Sequence, residues 1–500
     1  MLRRLFLLAP IFGAPFACGG LIDTTPQPLP VTDAGTTTTP VTPPTPVTPP
    51  PEPLPPPLLP TVEPVVIDLG AVPTDTDVTF AVPPNALGFN IVLESSVAVA
   101  PPEGLGIARI TSPSGEVVHD GFTPAGGDSP TSQSYFGTIV AASVPQSQSK
   151  SANTPEAGMW KVRFASPNDG TSTLHAEVRV QVAGPSGFTG GRLDLRVYVP
   201  PGIYVDGKKI NATIAASDPG IATRIESFFG AAKDHFDIDR GDVSFHEAAA
   251  DLGSITSDPL LVKGFSASTR PPNEQSMQVL LTNAIDFGNG DEAWGIAPGI
   301  PGGAGHFSTP ISGIILAVGQ TPAEADGLAM LHEMGHFVGL NHTTEFEGGF
   351  SDPLTDTPAC QGLTLEDPST INKCPDKFNL MFPTLVGEKS ALESVSPAQK
   401  AVFQGSPVYK AYSLAMQRTK MATTRVRPTL TRSGRALRPI ELWLSSSLCG
   451  HVKADPAAVA RRLGKAQVTA ELRAASIDAD LPDLMKKKAL WAIRTLEQTP

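Results

Sequence analysis

The chain has 500 residues, 40% of them hydrophobic and 17% charged, with a formal charge of -12. That length exceeds one ordinary domain and predicts two to four. The acidic balance argues against a nucleic-acid coat, four cysteines exclude a disulfide scaffold, and 6% aromatics argues against stacking on single strands.

Arg3 and Arg4 form a positive start, and an apolar run follows over 5–16. It is too short to span a bilayer as a mature helix, and it reads as an export signal. The run ends at Ala17-Cys18-Gly19-Gly20, which resembles the lipobox of bacterial lipoproteins. The resemblance implies lipidation of Cys18 and anchoring at the bacterial envelope. Plain secretion after a nearby cleavage is the alternative. Residues 19–64 form a Pro/Thr-rich linker, with 15 of the 52 prolines between Pro26 and Pro60. Such a composition builds no core and favours extended polyproline II.

Residues 65–188 carry short alternating apolar runs separated by Gly, Pro, Asn and Asp, and predict an antiparallel β-sandwich. The stretch 155–160 with its following strand looks like the closing strands of jelly-roll domains appended to secreted proteases. Residues 190–405 alternate strands and helices, predicting an α/β (α+β) domain. Strands are expected over 193–199, 277–281 and 311–318. A helix is expected from Asp218-Pro219, with Ile221, Ile225, Phe228 and Phe229 on one face. In 406–500 a basic segment leads into a small helical module. Nine Lys or Arg and no Asp or Glu lie between Lys400 and Pro439, which leaves the rest of the chain at -12 - 9 = -21. Short helices are expected to start at Asp455-Pro456 and Leu481-Pro482, the second burying Leu484, Ala489, Leu490, Ile493 and Leu496. The fold class is thus multidomain, with an all-β sandwich, a central α/β domain and a small helical module.

The chemistry lies in 332–342, His-Glu-Met-Gly-His-Phe-Val-Gly-Leu-Asn-His. Residues four apart share one helix face, so His332 and His336 can point at one ion. A helix over about 322–338, capped by Thr321 with Pro322 and Glu324 in its first turn, puts both in its last two turns. Gly339 suits a left-handed helix exit that returns His342 to the same ion. Three neutral imidazoles and one water make a catalytic zinc site with an open position. Glu333 neighbours His332 and can face that water as general base. Requiring Gly339 and His342 makes the short pattern roughly 600-fold rarer at this chain's own Gly and His frequencies.

The stretch 332–342 resembles the extended zinc motif of the metzincin metallopeptidases. Asn379-Leu380-Met381-Phe382-Pro383 looks like their methionine turn, with Met381 beneath the metal. The segment 299–303 and the strand after it resemble the approach to the active-site helix, and an upper-rim strand is expected within 294–309. The run from His342 through Asp352 and Asp356 to Pro358 is similar to the pappalysin branch. That branch carries a tyrosine two residues after the turn methionine, where this chain has Pro383. The resemblance covers about 195–405 and implies a zinc endopeptidase acting on protein or peptide substrates. It also implies calcium as a second cofactor at Asp352 and Asp356, for which a solvated acidic loop is the alternative. Cys360 and Cys374 bracket the loop before the methionine turn. In an exported protein they are expected to pair, closing a segment worth about 3 kcal/mol in the chain-entropy model. A thiol metal ligand is the other reading, and Cys449 is left over as a free thiol. No cysteine lies in 19–331, so cysteine-based latency would need an unmodified Cys18 that reaches back. A cell-surface adhesion lipoprotein with a vestigial peptidase domain is the second functional reading.

Overall fold

The computed structural model describes residues 59–97, 105–121, 133–145, 154–166, 173–269, 275–286, 293–319, 322–345, 352, 354–360, 363, 370–383, 394–413 and helical residues within 469–496, with the strand backbone of 17–19. The chain divides into two compact units, Met1–Leu414 and Ala415–Pro500. Among the described residues no helix is long and apolar enough to cross a membrane.

Two short strands come first, β1 (Ala17–Gly19) and β2 (Thr61–Val62). The sandwich strands follow: β3 (Val65–Ala71), β4 (Asp77–Val82), β5 (Ala86–Ser95), β6 (Gly106–Thr111), β7 (Val117–Asp120), β8 (Gln133–Phe136), β9 (Ile139–Val144), β10 (Gly158–Ala165) and β11 (Leu174–Val182). They form two antiparallel sheets, ordered β4-β10-β6-β7 and β3-β11-β5-β9-β8. Period-two burial drives their association. Along β10, Trp160, Val162 and Phe164 point inward while Met159 and Lys161 face water. Phe89 meets Phe80 and Trp160 edge-on at 5.3 and 5.0 Å. Along β11 the alternation stops. Arg179 and Gln181 stand at outward positions and are nevertheless buried. Their cover is the α/β half of the same unit.

That half holds β12 (Gly191–Val199), β13 (Ile203–Val205), β14 (Lys208–Ile210), α1 (Ala212–Ala215), α2 (Pro219–Phe236), β15 (Ile238–Glu247), α3 (Asp258–Phe265), β16 (Met277–Thr282), β17 (Ala293–Ile296), β18 (Ile314–Ala317), α4 (Ala323–Val338), α5 (Pro397–Gly405) and β19 (Lys410–Tyr412). The main sheet runs β1-β17-β18-β16-β12-β19-β2, with β15 also paired to β12. The pairs β15/β12, β12/β16 and β16/β18 are parallel, whereas β17 is antiparallel to β18. Both faces are covered, so the central strands are apolar throughout. Met277, Val279 and Leu281 pack toward α2, α4 and α5, while Leu280 packs toward α3. The expected boundaries need correction. Thr61–Val62, read as linker, and Lys410–Tyr412, read as tail, are strands of this sheet.

Helix α2 begins where the sequence places it. Asp218 caps it, accepting from the N–H groups of Gly220 and Ile221 at 2.9 and 3.1 Å. Arg224 on α2 is 1% exposed and binds Asp326 of α4 at 2.6 Å and Asp206 at 2.9 and 3.0 Å. Removing one partner of a buried pair strands the other's charge. Arg224→Ala is therefore expected to destabilise unit 1 by about 3–5 kcal/mol, read from the urea midpoint. A loss below about 1 kcal/mol would contradict this role.

In the second unit helical residues are described at 469–470, 472–473, 489–490, 492–494 and 496. Ala489, Ile493 and Leu496 are buried as expected, but Leu490 is 45% exposed. It sits one residue round the helix from Ala489, off the apolar stripe. The basic segment beyond residue 413, Leu484, Cys449 and both expected helix starts lie outside the described residues.

Candidate metal centre

Every residue of α4 from Asp326 to Val338 is buried. A helix without a wet face runs through a core, and its polar side chains need a reason to be there. The helix starts one residue later than the spacing suggests. Pro322 is its N-cap, and Thr321 lies outside the described residues. Gly339 ends it at φ +116°, a left-handed conformation that glycine adopts without strain. The chain then reverses, and Leu340 N–H donates to the Gly335 carbonyl at 2.9 Å.

This reversal brings His342 onto the helix face that carries His332 and His336. The Nε2 atom of His342 lies 3.2 Å from that of His332 and 3.0 Å from that of His336. All three rings are at most 3% exposed. Each ring turns Nδ1 outward to an oxygen: Leu380 O at 2.6 Å, Leu340 O at 2.7 Å, and a carboxylate oxygen of Glu345 at 2.7 Å. A carbonyl accepts only, so the proton sits on Nδ1 of His332 and His336. Their Nε2 lone pairs then face one another and His342. Burial, with the His342 charge adding, holds His332 down to about 3 and His336 well below the usual range. Neutral imidazoles are the ligand form. Tetrahedral zinc with Zn–N bonds of about 2.0–2.1 Å sets ligand nitrogens about 3.3–3.4 Å apart. The two separations at His342 come within a few tenths of an ångström of that spacing.

Glu333 is 1% exposed, next to His332. Its side chain lies against β17 at Gly295. A Cβ on that glycine would stand 2.9 Å from the Glu333 carboxyl carbon. Only a glycine lets β17 run this close to the carboxylate. Met381 lies under α4 at Gly335, where any Cβ would meet its sulfur. The turn is held by Asn379, which accepts the Met381 N–H at 2.8 Å and exchanges amide hydrogen bonds with Gln399 of α5. Pro383 is buried beside the turn.

Among the described residues a second cluster joins Cys360, Cys374 and Asp376. The two cysteines are bonded to each other, so they offer no thiolate. Asp376 accepts from the hydroxyls of Thr343 and Thr344 at 2.7 and 2.6 Å, tying the segment after His342 to the disulfide loop. The two acidic residues read as calcium ligands differ in burial. Asp352 is 5% exposed, and burial pushes its carboxyl up to about 7, with the charges of Asp356 and Asp376 adding. Asp356 is exposed and accepts the Ala398 N–H at the start of α5. The charges of both Asp356 and Asp376 act on Asp352, and spacing did not single out Asp376. Cys18 lies in β1, antiparallel to β17 between the pairs Ala17↔Ile296 and Gly19↔Ala293.

No protein-family model matches the chain, and no curated protein matches it. Among solved structures the chain is similar to archaemetzincin from Methanopyrus kandleri, at 15% identity and a TM-score of 0.22, over 44% of this chain and 89% of that one. It is also similar to metalloproteinase-II from Bacteroides fragilis, at 14% identity and a TM-score of 0.22, over 41% of this chain and 64% of that one, just under two thirds of its length.

Proposed function

We propose that the chain is a zinc-dependent endopeptidase of the metzincin type that hydrolyses peptide bonds in protein substrates. The observation that carries this is the convergence of three buried Nε2 atoms at 3.0 and 3.2 Å, with each Nδ1 turned outward. Three imidazole nitrogens converging this closely, two of them unprotonated at Nε2, form a donor set for one cation. His332, His336 and His342 would hold the ion. A bound zinc ion supplies Lewis acidity and a water acidic enough to ionise near neutrality. Glu333 would take that water's proton and deliver it to the leaving amine. The side of β17 paired by Ala17–Gly19 suits an extended peptide added as an antiparallel strand in place of that segment. The pairing of Ala17–Gly19 on that side supports this.

Four finer readings belong to the same proposal. The pappalysin branch follows from 342–358, with Pro383 in place of that branch's tyrosine. A calcium ion would be held by Asp352 and Asp356, as the resemblance implies. Export follows from residues 1–18, and the lipid anchor would sit on Cys18. Incorporation of a labelled fatty acid that Cys18→Ser abolishes tests the anchor.

The activity is tested on a peptide library with zinc-loaded protein. Cleavage is expected to stop on chelation and return on adding zinc. No cleavage by fully loaded protein would refute the peptidase and leave the adhesion reading.

A further inference from the structure

The three imidazoles are not held alike. His332 and His336 sit on α4, where the helix fixes their backbone, and their Nδ1 atoms donate to main-chain carbonyls. His342 lies outside the helix, after the turn at Gly339. Its backbone is tied at two points: its carbonyl accepts Asp352 N–H at 3.0 Å, and the next residue, Thr343, donates to Met381 O at 3.0 Å. Neither bond sets the rotation of the ring. The Glu345 carboxylate does, at 2.7 Å from Nδ1. Glu345 is three residues along the same loop, with a side chain 22% exposed.

We infer that Glu345 is the positioning residue for the third metal ligand. It rests on the reading that the triad holds zinc. A carboxylate on the far nitrogen fixes tautomer and ring orientation and makes Nε2 a stronger donor than a carbonyl partner can. The loop ligand needs this more than the helical ones, because no secondary structure restrains it. The Glu345 carboxylate thereby compensates for a ligand carried on the least restrained segment of the site.

The test uses the full chain with Glu345→Gln and Glu345→Ala. Zinc affinity is read by competition with a chromophoric chelator, and coordination by the visible absorption of the cobalt-substituted protein. Glu345→Ala is expected to weaken zinc about 10–100-fold. Glu345→Gln keeps an acceptor but no charge and is expected to fall between Ala and wild type, with the cobalt spectrum retained. A merely space-filling role predicts that Gln equals wild type. Equal affinity in wild type and both variants overturns the inference while leaving the peptidase reading intact. A wild-type chain that takes up no zinc overturns both.

Discussion

Glu333→Gln is expected to lower kcat/KM for peptide cleavage by about 10²–10⁴-fold while zinc content stays at the wild-type level. At 1.36 kcal/mol per decade this is about 3–5 kcal/mol of transition-state stabilisation. The substitution keeps shape and hydrogen-bonding capacity but removes the proton acceptor. Glu333 is not one of the three converging imidazoles, so metal binding has no reason to change. Its carboxyl is buried against β17 at Gly295, the strand beside which a substrate strand would lie. Measured zinc stoichiometry and steady-state kinetics on one preparation separate the two effects. Activity within tenfold of wild type would remove Glu333 from the role of base.

Separating the α/β half from the sandwich is expected to abolish activity rather than raise it. Residues 190–413 expressed alone should lose activity at least tenfold, with a lower melting temperature. The reason lies in the loop 299–306, which is shared between the halves. On one side Gly302 N–H donates to Phe337 O at the end of α4, at 2.9 Å. On the other, Asn90 of β5 holds Gly302 O at 3.1 Å and Ala304 N at 3.3 Å. His306 sits between Glu94 of β5 at 3.2 Å and Glu177 of β11 at 3.4 Å. Arg179 binds Glu177 at 2.5 Å from the same sheet. Without the sandwich this loop loses its outer support, and the histidine helix loses the loop. Full activity in the shorter chain would show that the sandwich is dispensable, and higher activity would make it inhibitory.

The same contact predicts a pH dependence. Burial lowers the His306 pKa, but hydrogen bonds to Glu177 and Glu94 outweigh it and hold the imidazole above its usual 6.5. A raised folded value adds stability that is complete below about 6.5 and is lost as pH rises through the folded value. The melting temperature of the full chain should fall over that range, and His306→Gln should flatten the fall. An unchanged slope in the variant would place the titration elsewhere.

Much of the site was legible in the sequence because its geometry is local. The i, i+4 spacing of His332 and His336, the glycine at 339 and the return of His342 follow from helix periodicity and one left-handed residue. The cap of α2 at Asp218 and the buried run of 277–282 are local for the same reason. Side-chain pattern alone did not reveal two short strands of the main sheet. Thr61–Val62 and Lys410–Tyr412 carry no sign of their sheet, since two or three residues hold no period. Leu490 matched a helical stripe only at the resolution of one residue.

The sequence by itself therefore marked the three histidines that converge, the glutamate beside the first of them and the helix turn that bears two of them, all written within eleven residues. Only the tertiary structure decided what surrounds that set. Glu345 turns to His342, Gly295 brings β17 against Glu333, and the charge of Asp376 adds to that of Asp356 at Asp352. Asn90 and His306 bind the sandwich to the loop behind the helix. These partners are up to 214 residues apart in the chain. Their selection rests on chain packing and buried hydrogen bonding, which no spacing rule encodes.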